Sequence, residues 1–209
     1  MKIFFFSLLS FVLLISQNGF GQGKDSVNLK VDWGTESKEL QDYYRFQNID
    51  YFKVAFKGDQ LKNSFYLLVS KEYWDGKLSK TDTVVNSRGM EMKISENEFK
   101  FRVMAQKAEE DTVKFQFFFS NFSITKKFKA SKQDTYSLRD ISNNKSVNVA
   151  VKMPLTLFAY SLPYQDPKRP GWLMYCELSR EGIPPEKWGE KFGVKHYIIF
   201  ELKFLRGGS

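Results

Sequence analysis

Few side chains in this 209-residue chain are suited to covalent or metal chemistry: it holds one histidine, His196, and one cysteine, Cys176. Any Ser-His-Asp or Cys-His nucleophilic site, and any metal site that needs imidazole, has to use His196. That residue lies between Val194 and Ile198, in an alternating run that continues through Phe200, Leu202 and Phe204. Alternation places these side chains on one strand face, so His196 reads as a core histidine with one satisfied hydrogen bond. Cys176 is in register with Trp172, Met174 and Leu178 and reads as a small buried hydrophobe. Nothing in the sequence orients a Cys176–His196 pair.

Metal and phosphate chemistry leave no pattern either. There is no Cys/His spacing for zinc and no Asp-x-Asp-x-Asp-Gly run for calcium. The cluster Glu109-Glu110-Asp111 reads as a solvated hairpin tip, and the glycines are scattered singly rather than gathered into a phosphate loop. No catalytic residue, metal or cofactor is therefore expected, and the chain reads as non-enzymatic. A hydrolase built on an unrecognised carboxylate pair is the least favoured alternative.

Binding chemistry is better represented. The Pro-rich stretch Leu162–Gly171 and the turn around Trp188 bring Tyr164, Trp172 and Trp188 near Asp166, Lys168, Arg169 and Glu186. Flat rings beside polar forks suit a sugar or a peptide, with stacking for the apolar face and hydrogen bonds for orientation. These seven residues are the candidate ligand-binding set; the alternative is that the rings merely cover one end of the sandwich. Asp25-Ser26-Val27, Asp82-Thr83-Val84 and Asp111-Thr112-Val113 each resemble the acceptor motif of a bacterial O-glycosylation system, making Ser26, Thr83 and Thr112 candidate modification sites.

The elements that must position these groups are strands. Phe99, Phe101, Val103 and Ala105 alternate with polar residues, as do Val113, Phe115, Phe117 and Phe119, and then Phe122, Ile124 and Phe128. Three such runs with polar breaks predict an antiparallel meander with one face on a core. Val27–Trp33 and Phe52–Phe56 predict two earlier strands, and Phe65–Trp74 a central one apolar on both faces. Asp75-Gly76 predicts a tight hairpin into Leu78–Val85, with Met90, Met92 and Ile94 as a further strand. Thr35 is the expected cap of a short helix over Glu36–Gln47. Val147–Val151 and Leu155–Tyr160 flank Pro154, which implies a strand edge or a bulge. Trp172–Leu178 and Val194–Phe204 are the last strands. The polar stretch Ala130–Ser146 is a candidate loop or subdomain division within residues 22–209. The expected fold is mainly β: an antiparallel sandwich or partly open barrel of roughly ten to twelve strands with one or two short helices.

Compartment follows from the first residues. Met1-Lys2, the apolar run Ile3–Ile15 and the small residues Gly19 and Gly21 form an export leader, expected to be cut after Gly21. The run is too short for a spanning helix, which takes roughly 20 residues. No cysteine stands at the cut for a lipid anchor, and a lone cysteine makes no internal disulfide. The leader resembles those of proteins exported by double-membraned bacteria. Removing it lowers the net charge from +8 to +7. Lys30, Lys53, Lys57, Lys71, Lys100, Lys114, Lys127 and Lys203 lie in or beside alternating runs and are expected on wet strand faces.

The reading is an exported binding module, periplasmic or extracellular, whose partner is a glycan, a peptide or an envelope protein. Nucleic acid is not expected, nor a transmembrane segment after leader removal. A structural envelope component that pairs through an edge strand is the runner-up. The alternative for the O-glycosylation motifs is that Asp and Ser or Thr simply start strands after turns. Intact-mass measurement of the protein from its own host decides between them, since added glycan supports O-glycosylation and an unmodified mass removes it.

Overall fold

The computed structural model describes residues 26–133, 135–141, 147–151, 153–175 and 182–206. In chain order these form β1 (Ser26–Trp33), α1 (Lys38–Phe46), β2 (Asp50–Lys57), β3 (Phe65–Trp74), β4 (Lys77–Asn86) and β5 (Glu98–Glu109). There follow β6 (Thr112–Phe118), β7 (Ser123–Lys129), β8 (Ser137–Asp140), β9 (Val147–Ala150) and β10 (Leu155–Ser161). The short β11 (Tyr164–Gln165) and β12 (Leu173–Met174), then α2 (Trp188–Phe192) and β13 (His196–Leu205), complete the order. The stretch expected to be an export leader and Cys176 lie outside the described residues.

Two antiparallel sheets face each other, and the fold is a mainly β sandwich rather than a closed barrel. One sheet runs β7-β6-β5-β2-β1-β9 and the other β4-β3-β13-β10-β8. The expected meander is β5-β6-β7, and Phe101, Phe115 and Phe117 are buried. Rings from the two inner faces interlock: Phe115 and Phe117 lie 4.7 and 5.4 Å from Phe200, Phe56 lies 5.1 Å from Phe204, and Phe115 lies 5.2 Å from Tyr160. Such edge and offset contacts add about 0.5–1.5 kcal/mol each to the gain from burial.

Local chemistry explains the joins. Asp75 and Gly76 take positive φ values of 47° and 75°, as the tight β3–β4 turn requires. Ser37, not Thr35, caps α1: its Oγ accepts the Leu40 N–H at 3.2 Å, and the helix starts two residues later than expected. Pro154 stands where the chain leaves edge strand β9 for β10 in the other sheet. At the opposite edge Lys126, in phase with Ile124 and Phe128, points inward and meets Asp82 of β4 at 3.0 Å. Inward charge at both edge strands discourages added strands on that side.

Several expectations need correction. Met90, Met92 and Ile94 form no strand; the chain turns at 87–91, and Ile94 is buried by loop bonds to Asn63 and Ser64. Within the expected loop 130–146, Lys132, Gln133 and Thr135 are exposed, but Tyr136 and Leu138 belong to the main core and β8 pairs with β10. The last predicted strand begins at His196, and Val194 packs elsewhere. Phe65–Trp74 is central, yet its burial alternates, since only part of its outer face is covered. Lys71 on that face is held by Glu201 at 2.7 Å rather than freely solvated.

That cover is a third layer. The described parts of the excursion between β10 and β13, residues 163–175 and 182–195, fold back over the outer face of the five-stranded sheet and make a second core of Tyr73, Ala159, Tyr164, Trp188, Val194, Tyr197 and Ile199. A Cβ on Gly189 would stand 2.0 Å from Gly76 Cα, so this layer locks against the β3–β4 turn only through a bare glycine. Gly189→Ala is therefore expected to destabilise the protein by about 1–3 kcal/mol in urea unfolding. An unchanged midpoint would mean that the layer does not dock this closely.

Candidate functional site

Trp188 is fully buried, 5.7 Å from the Tyr197 ring, and its Nε1 donates to the Ile183 carbonyl. That burial corrects the expectation of an open contact ring. Tyr164 is likewise buried, its ring 4.9 Å from Phe192. The polar fork of the Pro-rich loop is spent on the loop itself. Asp166 Oδ1 accepts the Lys168 N–H at 2.9 Å, and Oδ2 accepts Arg169 Nε–H at 2.7 Å. These two bonds hold the Asp166 carboxyl below its ordinary range. Arg169 covers the exposed Trp172 ring at 4.6 Å, and Glu186 turns towards Lys71 at 3.9 Å. Lys168 lines a shallow hollow of about 370 Å³ with Asp166, Lys191 and Phe192. Of the expected set, then, the structure unites Asp166, Lys168, Arg169 and Trp172 in one self-satisfied turn and removes Tyr164 and Trp188 to the core.

The glycosylation candidates are placed separately. Thr83 is exposed on edge strand β4; Thr112 is half-buried and donates to Asp111 Oδ1 at 3.2 Å; Ser26 opens β1.

A different pocket gathers more chemistry. It lies at one end of the sandwich, beside α1, with a volume of about 240 Å³. Trp33, Tyr44, Tyr136 and Tyr160 supply its rings, Asp50 its carboxyl, and Gln41, Arg45, Asn48 and Lys107 its polar rim. Each is placed by local structure. Trp33 ends β1 in phase with Val27, Leu29 and Val31, but past the core, and is 50% exposed. Gly34 follows with φ +75°, and its missing side chain admits Gln41, whose Oε1 accepts the Thr35 N–H. Asn48, at φ 52°, turns the chain out of α1 so that Asp50 enters β2.

Asp50 is in phase with Phe52, Val54 and Phe56, so it points between the sheets. Its Oδ2 accepts the Leu138 N–H of β8 at 2.8 Å, a stitch across the sandwich. Burial pushes its carboxyl up to about 6, against the opposing pull of the Leu138 N–H and Arg139. Tyr136 stacks on Tyr160 at 5.2 Å, and burial pushes the Tyr136 hydroxyl up to about 12 and that of Tyr160 higher still.

Beneath the pocket lies His196, fully buried and stacked on Trp74 at 3.9 Å. Tyr136 joins the two levels. Its hydroxyl oxygen accepts the Ser131 N–H, and the same hydroxyl is hydrogen-bonded to His196 Nδ1. The other ring nitrogen, Nε2, stands 3.4 Å from Glu72 Oε1 but is not aligned for a hydrogen bond. His196 is thus a core histidine with one hydrogen bond. Burial works against the Glu72 charge, but His196 and the Trp74 Nε1–H at 2.8 Å outweigh it and hold the carboxyl below its ordinary range.

Asp50, Tyr136, Tyr44 and Trp33 were absent from the expected set. The available signal was phase: a carboxyl at position 50 continues the inward series 52, 54, 56. Tyr136 gave none, because it stands in a polar stretch. No family model, curated protein or solved structure matches this chain.

An aromatic-walled pocket with one costly carboxyl can hold a small hydroxylated ring: a platform at Trp33 and hydrogen bonds from Asp50 and the amide and cationic rim. The cost is measurable. A carboxyl raised from 3.8 to about 6 penalises the folded state as pH rises through that interval, by up to about 3 kcal/mol. Asp50→Asn keeps an acceptor for Leu138 and removes the charge. It is expected to gain about 1–3 kcal/mol at pH 7, with the gain vanishing below pH ~4, where the acid is protonated in both states. Equal stability of the two proteins at pH 7 would show that Asp50 carries no such penalty.

Proposed function

We propose that this chain is an exported, non-enzymatic β-sandwich that binds a glycan in the pocket at the α1 end. One observation carries the reading: a half-exposed tryptophan face stands at the mouth of a pocket whose half-buried, poorly solvated carboxyl has no ion-pair partner among the described residues. Proteins retain groups that cost stability where binding or chemistry uses them. Stacking of a sugar ring on Trp33, with hydroxyl groups bonded to Asp50 and the rim, uses both features. The volume suits one ring or a chain end rather than a long polymer. An envelope location rests on the leader and on the lysine-coated strand faces. Among the described residues no helix is long and apolar enough to cross a membrane.

Calorimetry against a panel of mono- and oligosaccharides tests the reading. Saturable binding is expected, weakened about tenfold or more by Trp33→Ala, with little change in melting temperature because that ring is half outside the core. Binding of peptides but of no glycan, or glycan binding indifferent to Trp33 and Asp50, would overturn it.

A further inference from the structure

The flank of α1 turned away from the pocket carries a second, independent signal. At 100° per residue, Gln41 and Arg45, which line the pocket, lie opposite Tyr43 on the helix. On that opposite flank Leu40, Tyr43 and Phe46 are 40%, 55% and 81% exposed. Three large apolar side chains within two turns of one surface helix are not the isolated exposures that any surface shows. Glu39 lies among them at the first turn, where Ser37 Oγ donates to it at 3.1 Å, and Asp42 borders Phe46 and pairs with Arg45 at 3.7 Å.

The helix lies on the outer face of the six-stranded sheet. Tyr44 packs 5.5 Å from Tyr51, the Gln47 carbonyl accepts Gln106 Nε2–H at 2.7 Å, and Glu36 reaches Lys53 at 3.9 Å. The rest of that face is basic. Lys30 and Lys100 pair with Asp32 and Glu98 beside them, and Lys127 with Glu109. Lys57, Arg102, Lys114 and Lys129 are exposed there with no carboxylate within ion-pair distance among the described residues.

We propose that this face, with the Leu40–Tyr43–Phe46 flank of α1, docks on an anionic lipid bilayer. Charge complementarity selects an anionic partner. The protruding aromatic flank selects one that offers an apolar medium just below its charge, which a headgroup layer does and a nucleic acid or acidic polysaccharide does not. The cations sit on long flexible stems across flat strands about 4.8 Å apart, an arrangement suited to mobile headgroups rather than to one fixed ligand. Docking this way leaves the opposite flank of α1, and so the pocket, at the membrane margin.

Sedimentation of the full chain with sucrose-loaded vesicles tests the proposal. Vesicles of roughly one-third phosphatidylglycerol in phosphatidylcholine are expected to bind about tenfold more strongly than phosphatidylcholine alone, and to lose that preference on raising salt from about 0.1 to about 0.5 M. The hydrophobic N-terminus is common to every arm, so it cancels in these ratios. Lys57→Gln and Lys114→Gln should each weaken anionic binding about fivefold. Tyr43→Ser with Phe46→Ser should weaken it about tenfold with an unchanged melting temperature. Equal binding to both vesicle types, or binding to heparin but not to vesicles, would overturn the proposal. So would anionic binding that the aromatic variants leave intact.

Discussion

Phe200 meets Phe115, Phe117, Phe128 and Phe158 within one sandwich interior, and this cross-sheet contact fixes the register of every strand around it. A slip of one residue in β13 would turn the whole series from His196 to Phe204 towards the third layer. Because the middle of the core is filled by rings, inward-phased ionisable residues are confined to strand ends and edges, and mid-strand Ser70 turns its hydroxyl to the Asp82 carbonyl of edge strand β4. Asp50 begins β2, His196 begins β13, and Glu72 comes near the end of β3, all at the same end of the sandwich. Phe56, Tyr66, Phe99 and Phe204 close the other end with aromatic contacts, beside the hydrogen-bonded Ser64 and Ser87 and with no buried charge among the described residues. The molecule therefore has a polar end and an apolar end, and the pocket opens at the polar one.

That polarity links stability to binding. His196, Glu72, Trp74 and Tyr136 form a buried polar cluster in which one ring nitrogen, Nε2, has no aligned partner. Such clusters are expensive when incomplete, and they set unique positions for their members. Here the member so positioned is Tyr136, which forms one wall of the pocket. Asp50 adds a second cost on the same wall, offset in part by its stitch to Leu138. Both costs are carried by the phenylalanine interior, which is more than large enough to bear them.

Much of this was legible from period-two alternation alone. The meander from Phe99 to Phe128, the inward set on β13, the Asp75-Gly76 turn and the buried histidine follow from residue order, because strand geometry converts parity into facing. Asp50 obeyed the same rule. It was hidden by its place at a strand end, where a carboxylate is as easily read as turn residue. What composition could not disclose was long-range return. Trp188 stands among Pro, Glu, Lys and Gly, a setting that looks exposed, and becomes core only because residues 182–194 fold over the five-stranded sheet. Tyr136 is buried for the same reason, through the pairing of β8 with β10.

The central claim is that Asp50 is a carboxyl held in a ligand pocket against its own preference for water. Its side-chain carbon can be followed directly by carbon-detected NMR across a pH titration, with and without a glycan found to bind. The account predicts a midpoint near 6 in the free protein and a clear displacement of that midpoint when the sugar occupies the pocket. A midpoint near 4, unmoved by ligand, would contradict it.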